Sequence, residues 1–537
     1  MALKIHNESN ILFEQLQHES IPPQEAMLIL RTCALPVPGY LSRVLPPSVL
    51  SASAKAFDNQ VSDTAMKILK LPPLSNQQQQ QSRLKLRNSG LGLISVEENS
   101  PIAYVSGIAA ASHVLCESGI APDGSLPPNT FFARDYIDAL KSTHTAVASH
   151  ADTKALLPAN SETPSIAHFL AFPEGKRLQH TLSHVADTIR FIRLCEQAPA
   201  TDRARLLSCS GPYSSAWLTT IPTDMLCRLP ARHYRVAARL RLGLPPFDSQ
   251  YTSCVCKSPS ADPSVDVHHG LSCHNVRRTL VNKRHDSVKN LVHMWAKHVG
   301  CAAVKEPQNK AGTQERADNW INDPHGNAYL CDVAIVQPAC PSHVSKSQQR
   351  LGAANYAALE KHKQYDAMAN ADGAKMWPLI AEVYGALDQD FVTFIKRMGY
   401  FAGEDDGCPW SQHEVVSQMY GSIAVAIQKG NVQTLDAVQH GNRRAGLIRP
   451  QRRDPNDGSA VGVSAAVGSV LGSAVAVIND DDMSLLHEGG RRVRGAARVI
   501  IPHALQVNSV DESDEEEEDS VNEVEPRLPG DHLVGDR

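Results

Sequence analysis

Between Arg284 and Tyr384 lie acids and an amine whose order could support chemistry on a phosphodiester. Glu306 precedes Pro307. Asp318 ends Arg316-Ala317-Asp318. Asp332 interrupts the apolar run Cys331-Asp332-Val333-Ala334-Ile335-Val336, and Lys361 and Tyr365 share Glu360-Lys361-His362-Lys363-Gln364-Tyr365. A carboxylate inside an apolar strand is costly unless it is paired or holds a metal. Two or three carboxylates can hold Mg²⁺ or Mn²⁺ and leave coordination positions for water. A neighbouring lysine stabilises phosphate charge or orients the attacking water. A metal acting as Lewis acid and activator of water completes the set needed for hydrolysis. Taken singly, each residue has a duller reading, since strand-end aspartates and solvated helix lysines are common. Their order and the elements that carry them favour the functional reading.

Those elements follow from periodicity. Val288, Leu291, Val292, Trp295 and Val299 recur at helical spacing from His285 to Val299, and Gly300 stops the helix. Cys301 to Lys305 and Glu315 to Ile321 are β-prone. Ala328 to Gln337 is the clearest strand, with Asn322 to Asn327 as the turn before it. Gln348 to Asn370 reads as a helix and Met376 to Val383 as a last strand. The order helix, three strands, helix, strand predicts an α/β layer. A turn between their strands brings Asp318 and Asp332 to one sheet end, and Lys361 and Tyr365, four apart, share a helix face. Phe391 to Met398 and Glu414 to Ile427 read as helices packed on this core.

The order RHD, EP, RxD, DVAIVQP, EKxKxY resembles the restriction-enzyme-like endonuclease of site-specific non-LTR retrotransposons, a branch of the PD-(D/E)xK nucleases. The resemblance implies that Asp318 and Asp332 bind Mg²⁺ with Glu306 assisting, that Lys361 polarises the phosphate or the water, and that Tyr365 orients the site. Ala317 stands where the family usually has proline. Ala334 stands where a standard nuclease of this class has its lysine, which in this branch is displaced onto the following helix. The first part of the chain also resembles this family. LILRTCALPVPGYLSRVLPP, SGLGLISVEENSPIAYVSG and VAARLRLGLP look like the thumb and helical linker that follow the polymerase palm. No aromatic-x-Asp-Asp hairpin is present, so the resemblance covers the back half of such a protein and implies no polymerase activity.

Upstream of the acids, Cys254-x-Cys256 and His269-x₃-Cys273 can close a tetrahedral zinc site, with His268 as a rival for His269. The one-residue gap in the first pair is tighter than usual, and unconnected cysteines in a loop are the plain alternative. The family carries a comparable knuckle before its nuclease.

Residues 1 to about 72 keep an apolar stripe broken at Pro22-Pro23, and Ala111 to about Leu242 reads as mostly helical. The run Gln77 to Gln81 reads as a loop or linker, and Arg87 to Ile94 as a turn entering a helix. The expected class is therefore α+β and multidomain. It comprises a helical region over 1–250, a zinc knuckle over 251–283, a restriction-endonuclease-like core over 284–447 and a low-complexity, disordered tail over 448–537.

The formal net charge is −5, but from Asp511 onward twelve acids face two arginines. The rest carries 50 basic against 45 acidic residues, the asymmetry expected of a nucleic-acid binder with an acidic tail. The twelve cysteines lack a disulfide-like framework, which fits a reducing compartment. The N-terminal residues lack the pattern of a secretory signal. Ser459 to Ile478 is long enough to span a bilayer, but four serines, three glycines and scarce leucine argue against insertion. Arg491-Arg492-Val493-Arg494 fits a solvated face, a phosphate contact or a nuclear address. Two functions follow as expectations: a Mg²⁺-dependent DNA endonuclease in the nucleus, acting on target DNA with element RNA as a further partner, or a non-catalytic nucleic-acid-binding remnant of the same element.

Overall fold

The computed structural model describes residues 10–117, 132–147, 178–247, 268–271, 273, 280–307, 316–404 and 407–440. All of them fall in one compact unit, Met1–Arg453. Helices dominate: α1 (Pro23–Ile29), α2 (Gly39–Val44), α3 (Pro47–Leu69), α4 (Asn76–Arg83), α5 (Val96–Glu117), α6 (Phe132–Val147), α7 (Leu178–Gln197), α8 (Ala200–Cys209), α9 (Ala216–Thr219) and α10 (Ala231–Arg241). Then follow α11 (Asn282–His298), β1 (Ala302–Lys305), β2 (Asn319–Asn322), β3 (Ala328–Val336), α12 (Gly352–Ala371), β4 (Lys375–Glu382), α13 (Gln389–Glu404) and α14 (Gln412–His440). The class is α+β.

The strands form one mixed sheet in the order β1-β2-β3-β4, antiparallel except between β3 and β4. A parallel pair needs a crossover, and α12 supplies it. Its buried face is small: Ala354 and Ala358 meet Ile380, while Tyr365 and Ala369 meet Leu330 and Met376. Alanines let the helix lie close on the strands. The other sheet face carries Cys331, Val333 and Leu379 against Val292, Trp295, Phe394 and Ile423 of α11, α13 and α14. Strand alternation therefore turns Asp332 toward α12, the helix that bears Lys361.

The helix α11 ends as its sequence predicts. Gly300 adopts φ +81, Gly300 N–H donates to Lys297 O at 3.2 Å and Cys301 N–H donates to Ala296 O at 2.9 Å. A glycine in the left-handed region is what this closing turn requires. Between β2 and β3, Asp323 holds the turn through Asn327, Tyr329 and Arg397.

The helical half and the sheet half share their cores. On α14, Ile423 and Ile427 pack with the sheet, and Ala424 and Val425 pack with Phe57, Leu69, Trp217 and Tyr234. A second shared cluster joins Cys209, Val236 and Leu240 to Val383, Val432 and Leu435.

Three expectations change. The glutamine run is not a loop: Asn76–Arg83 is a helix with a capping box, in which Ser75 Oγ accepts from Gln78 N–H and Gln78 Oε1 accepts from Ser75 N–H. Inside it, buried Gln81 donates to Ser89 O and Arg241 O. Strand β2 begins at Asn319, where it diverges from β3, and Glu315, from which it was expected to start, lies outside the described residues. The helix expected over Glu414 to Ile427 continues to His440. Residues 441–537, with the Ser459 to Ile478 run, the basic patch and the acidic tail, lie outside the described residues. No helix among the described residues is long and apolar enough to cross a membrane.

The Asp323 anchor gives a test. Burial alone would raise its pKa, but hydrogen bonds from Asn327, Arg397 and Tyr329 draw it down to about 2. A depressed carboxylate pKa contributes stability above the unfolded value, and that contribution is lost as pH falls through the folded one. Asp323→Asn should therefore cost roughly 2 kcal/mol at pH 7. The difference from wild type should shrink between pH 4 and pH 2. Urea melts at both ends of that range measure it; a pH-independent difference would refute the ionic anchor.

Candidate active site

Asp318 and Asp332 come together where β2 diverges from β3. The end pair of that ladder is Asn319 with Cys331, which puts Asp318 level with Asp332. Beyond it, the backbone of Val333 has no strand partner on this side. Side chains replace one: Val333 N–H donates to Asp318 Oδ2 at 2.8 Å, and His285 Nε2 lies 2.9 Å from Val333 O. A buried backbone group needs a partner, so strand divergence itself fixes Asp318 and His285.

Each acid meets a cation from a helix. Lys361 Nζ lies 2.7 Å from Asp332 Oδ2, with side chains 26% and 7% exposed. His285 Nε2 lies 3.0 Å from Asp318 Oδ2. Lys289 Nζ lies 2.7 Å from Glu306 Oε1 and 3.3 Å from Asp286 Oδ1. Burial raises the pKa of Asp332; Lys361 opposes that rise and the Asp318 charge adds to it. His285 has only acceptors around it, Asp318 and Val333 O at Nε2 and Asp286 at Nδ1, 3.3 Å away. The doubly protonated ring satisfies them all. Burial alone would lower the His285 pKa, but bonds and charge from Asp318 and Asp286 outweigh it and the net shift is upward.

Tyr365 is buried, and its hydroxyl donates to Arg316 O at 3.3 Å, which holds the segment leading into Asp318. The Lys361 amine lies over the Tyr365 ring, 5.5 Å from its centroid. Ala317 is itself buried in the cluster with Leu330 and Tyr365. Glu306 has φ 48, a left-handed conformation that costs a non-glycine residue about 1 kcal/mol. Its N–H still extends the ladder, donating to Asp318 O at 2.9 Å, while its carboxylate turns to Lys289. The five expected residues thus surround one strand edge. Asp318 and Asp332 interact directly and Glu306 is held on a separate pair. Among the described residues, no group of three or more His, Cys, Asp or Glu stands close enough to hold a metal in this arrangement.

His285 and Asp286 stand in the RHD element of the sequence but, like Lys289, carried no expected site role. Their signal was available, since the three fall on adjoining positions of one helix in the first turns of α11. Arg284 beside them has a structural role. It is 2% exposed, donates to Asn431 Oδ1 at 2.7 Å and packs its stem against Gly430, where an added Cβ would come within 2.4 Å of Arg284 Cγ. It pins α11 to α14.

Of the zinc ligands, Cys254 and Cys256 lie outside the described residues. His269 sits in the single turn His269–Leu271, and Cys273 is buried. The rival His268 has its Nδ1 2.5 Å from the Tyr384 hydroxyl.

In comparisons with known proteins, the chain matches no family model and no curated protein.

The buried pair predicts a double-mutant cycle. Removing one partner of a largely buried ion pair leaves a charge without compensation. Lys361→Met should lose about 2 kcal/mol at pH 7.5, and Asp332→Asn/Lys361→Met should recover most of it. Denaturant melts of wild type, both single variants and the double variant read the coupling. Additive effects would show that the pair carries no interaction.

Proposed function

We propose that this protein is a metal-dependent DNA endonuclease of restriction-enzyme-like type, derived from a site-specific non-LTR retrotransposon protein. The single observation that carries the reading is the meeting of Asp318, Asp332 and Lys361 at one diverging strand edge. In the sequence they stand in the order seen in that nuclease branch.

The donor set suits Mg²⁺ or Mn²⁺ better than a softer ion. Asp318 directs both its bonds to Oδ2, Lys361 takes Asp332 Oδ2, and no hydrogen bond among the described residues reaches Oδ1 of either. Two carboxylate oxygens with water elsewhere are a usual protein share for Mg²⁺. Such an ion supplies Lewis acidity at the scissile phosphate and favours ionisation of water. The chain's own residues do the rest. Val333 N–H and His285 hold Asp318 in place. Lys361, held over Tyr365, can pass from Asp332 to a non-bridging phosphate oxygen and stabilise its charge. Lys289 keeps Glu306 at the rim. On this reading the partners are target DNA and element RNA, Cys254, Cys256, His269 and Cys273 hold Zn²⁺, and the protein works in the nucleus.

One observation favours a second reading. Each acid is already neutralised by a cation, Asp332 by Lys361, Asp318 by His285 and Glu306 by Lys289, and Ala317 replaces the proline usual in the family. A remnant that binds nucleic acid without cutting it would keep these pairs as structure.

A supercoiled-plasmid assay with Mg²⁺ separates the two. The enzyme should convert supercoiled to nicked or linear DNA, EDTA should stop it, and Asp332→Ala should lower the rate by about 100-fold or more. Binding with no cleavage by the wild-type chain would reject the nuclease in favour of the remnant.

A further inference from the structure

A second cluster of charge lies in the helical half, on residues that the acid site does not use. A groove of about 240 Å³ runs between α4, α5 and α7, with Leu84 and Leu194 among its lining residues. Arg83, Arg190 and Arg193 line it, together with Glu98 and the amides of Gln80 and Gln197. Glu98 is shared: its Oε1 lies 2.9 Å from Arg83 Nη1 and its Oε2 3.5 Å from Arg190 Nε. One carboxylate therefore serves two guanidinium groups. Arg193 is exposed and has no ion-pair partner among the described residues.

The positive charge extends past the groove. Lys85 and Arg87, on the turn that follows α4, lie within electrostatic reach of Arg190 or of each other. Burial lowers the Lys85 pKa, and repulsion from Arg87 and Arg190 lowers it further against the pull of Asp187. Asp187 is buried, and it accepts from Lys85 N–H and Asn88 Nδ2 rather than from the Lys85 amine. Lys85 and Arg87 thus add to the three groove arginines, while of the acids named Glu98 is shared by Arg83 and Arg190 and Asp187 is engaged by Lys85 N–H and Asn88. Like charges held this close cost free energy in the isolated chain, and an anion removes that cost.

We propose that this groove binds the phosphodiester backbone of a nucleic-acid strand. The chemistry selects the ligand: guanidinium forks match phosphate oxygens bidentately, and spaced cations along a groove suit a polyanion with regular charge spacing. The flanking glutamine amides can hydrogen-bond sugar or base edges without demanding a sequence. The helical half then grips nucleic acid while the strand edge bearing Asp318 and Asp332 meets it separately. The proposal shares its partner class with the proposed function but does not depend on cleavage.

The test uses the full chain in EDTA and a fluorescein-labelled single strand of about 30 nucleotides, as DNA and as RNA, with anisotropy read from 50 to 300 mM salt. Arg193→Glu, at an exposed position outside the Glu98 pairs, should weaken binding about tenfold near 100 mM salt, and Arg193→Lys should stay near wild type. Arg83→Ala/Arg190→Ala/Arg193→Ala should flatten the logarithmic salt slope by about two to three units. EDTA removes divalent metal, so this binding is read without cleavage, which separates its failure from failure of the nuclease reading. Unchanged affinity and slope in Arg193→Glu would overturn the proposal. So would a groove that takes inorganic pyrophosphate at millimolar concentration while the oligonucleotide ignores all three arginines.

Discussion

Two carboxylates side by side in a sheet, one of them 7% exposed, cannot both stay ionised without cations at hand, because desolvation and mutual repulsion both favour protonation. That constraint sets the local design. Asp332 sits on the α12 face of β3, so α12 must bring an amine to it, and Lys361 does. Asp318 hangs from the end of β2, so the helix before the sheet must reach it, and His285 does. Glu306 at the end of β1 takes Lys289 from the same helix. Two strand ends, the middle of β3 and two helices are fixed by charge as well as by packing. The same design leaves one oxygen of each aspartate unbonded, so electrostatic closure and binding capacity coexist.

Of the two helices that deliver those cations, α12 lies on β3 and β4 and α11 is held by α14. Helix α14 packs on α11, α13, α9 and α10, with the sheet core along one side and the helical core along another. Arg284 ties α11 to it directly. Its buried guanidinium has a pKa lowered to about 10 by desolvation, and Asn431 takes its Nη1 and donates in turn to Val383 O at the end of β4. A buried arginine with few partners is expensive. It makes sense where it locates the start of a helix whose next residues, His285 and Asp286, must be placed to within a hydrogen bond. Residues 1–250 and 284–440 therefore form their elements from local pattern but meet through common cores.

The sequence made the sheet region readable because its signals are local. Strand β3 is a run of β-formers, α11 has a clean apolar stripe with Gly300 at its end, and Lys361 and Tyr365 fall one turn apart. The level match of Asp318 with Asp332 followed from a short turn and antiparallel pairing. What stayed hidden depends on tertiary partners. His285 looks like an ordinary helix histidine until Val333 loses its strand neighbour. The glutamine run composes like a linker, yet a capping box starts it as a helix and buried Gln81 stitches it to Ser89 and Arg241. The start of β2 was set by its divergence from β3, not by its own residues. The pairing of Glu306 with Lys289 rather than with the two aspartates rests on a left-handed backbone at Glu306, which no periodicity announces.

The two charged features differ in a way that follows from their surroundings. At the strand edge the charges are nearly matched, acid for base, and several are buried, so a ligand there must replace an existing partner and gains specificity from that exchange. In the groove between α4, α5 and α7 one carboxylate, Glu98, serves both Arg83 and Arg190 and Arg193 stands in solvent, so a polyanion can meet Arg193 without displacing an acid from it. The first arrangement suits a step that must occur only on a correctly seated phosphate. The second suits attraction that is strong, salt-dependent and indifferent to sequence. On the proposed function the two separate holding from selecting: the cationic groove raises the local concentration of a strand, while the tightly paired acids remain closed until a phosphate and a cation together offer Lys361 and Asp332 something better than each other.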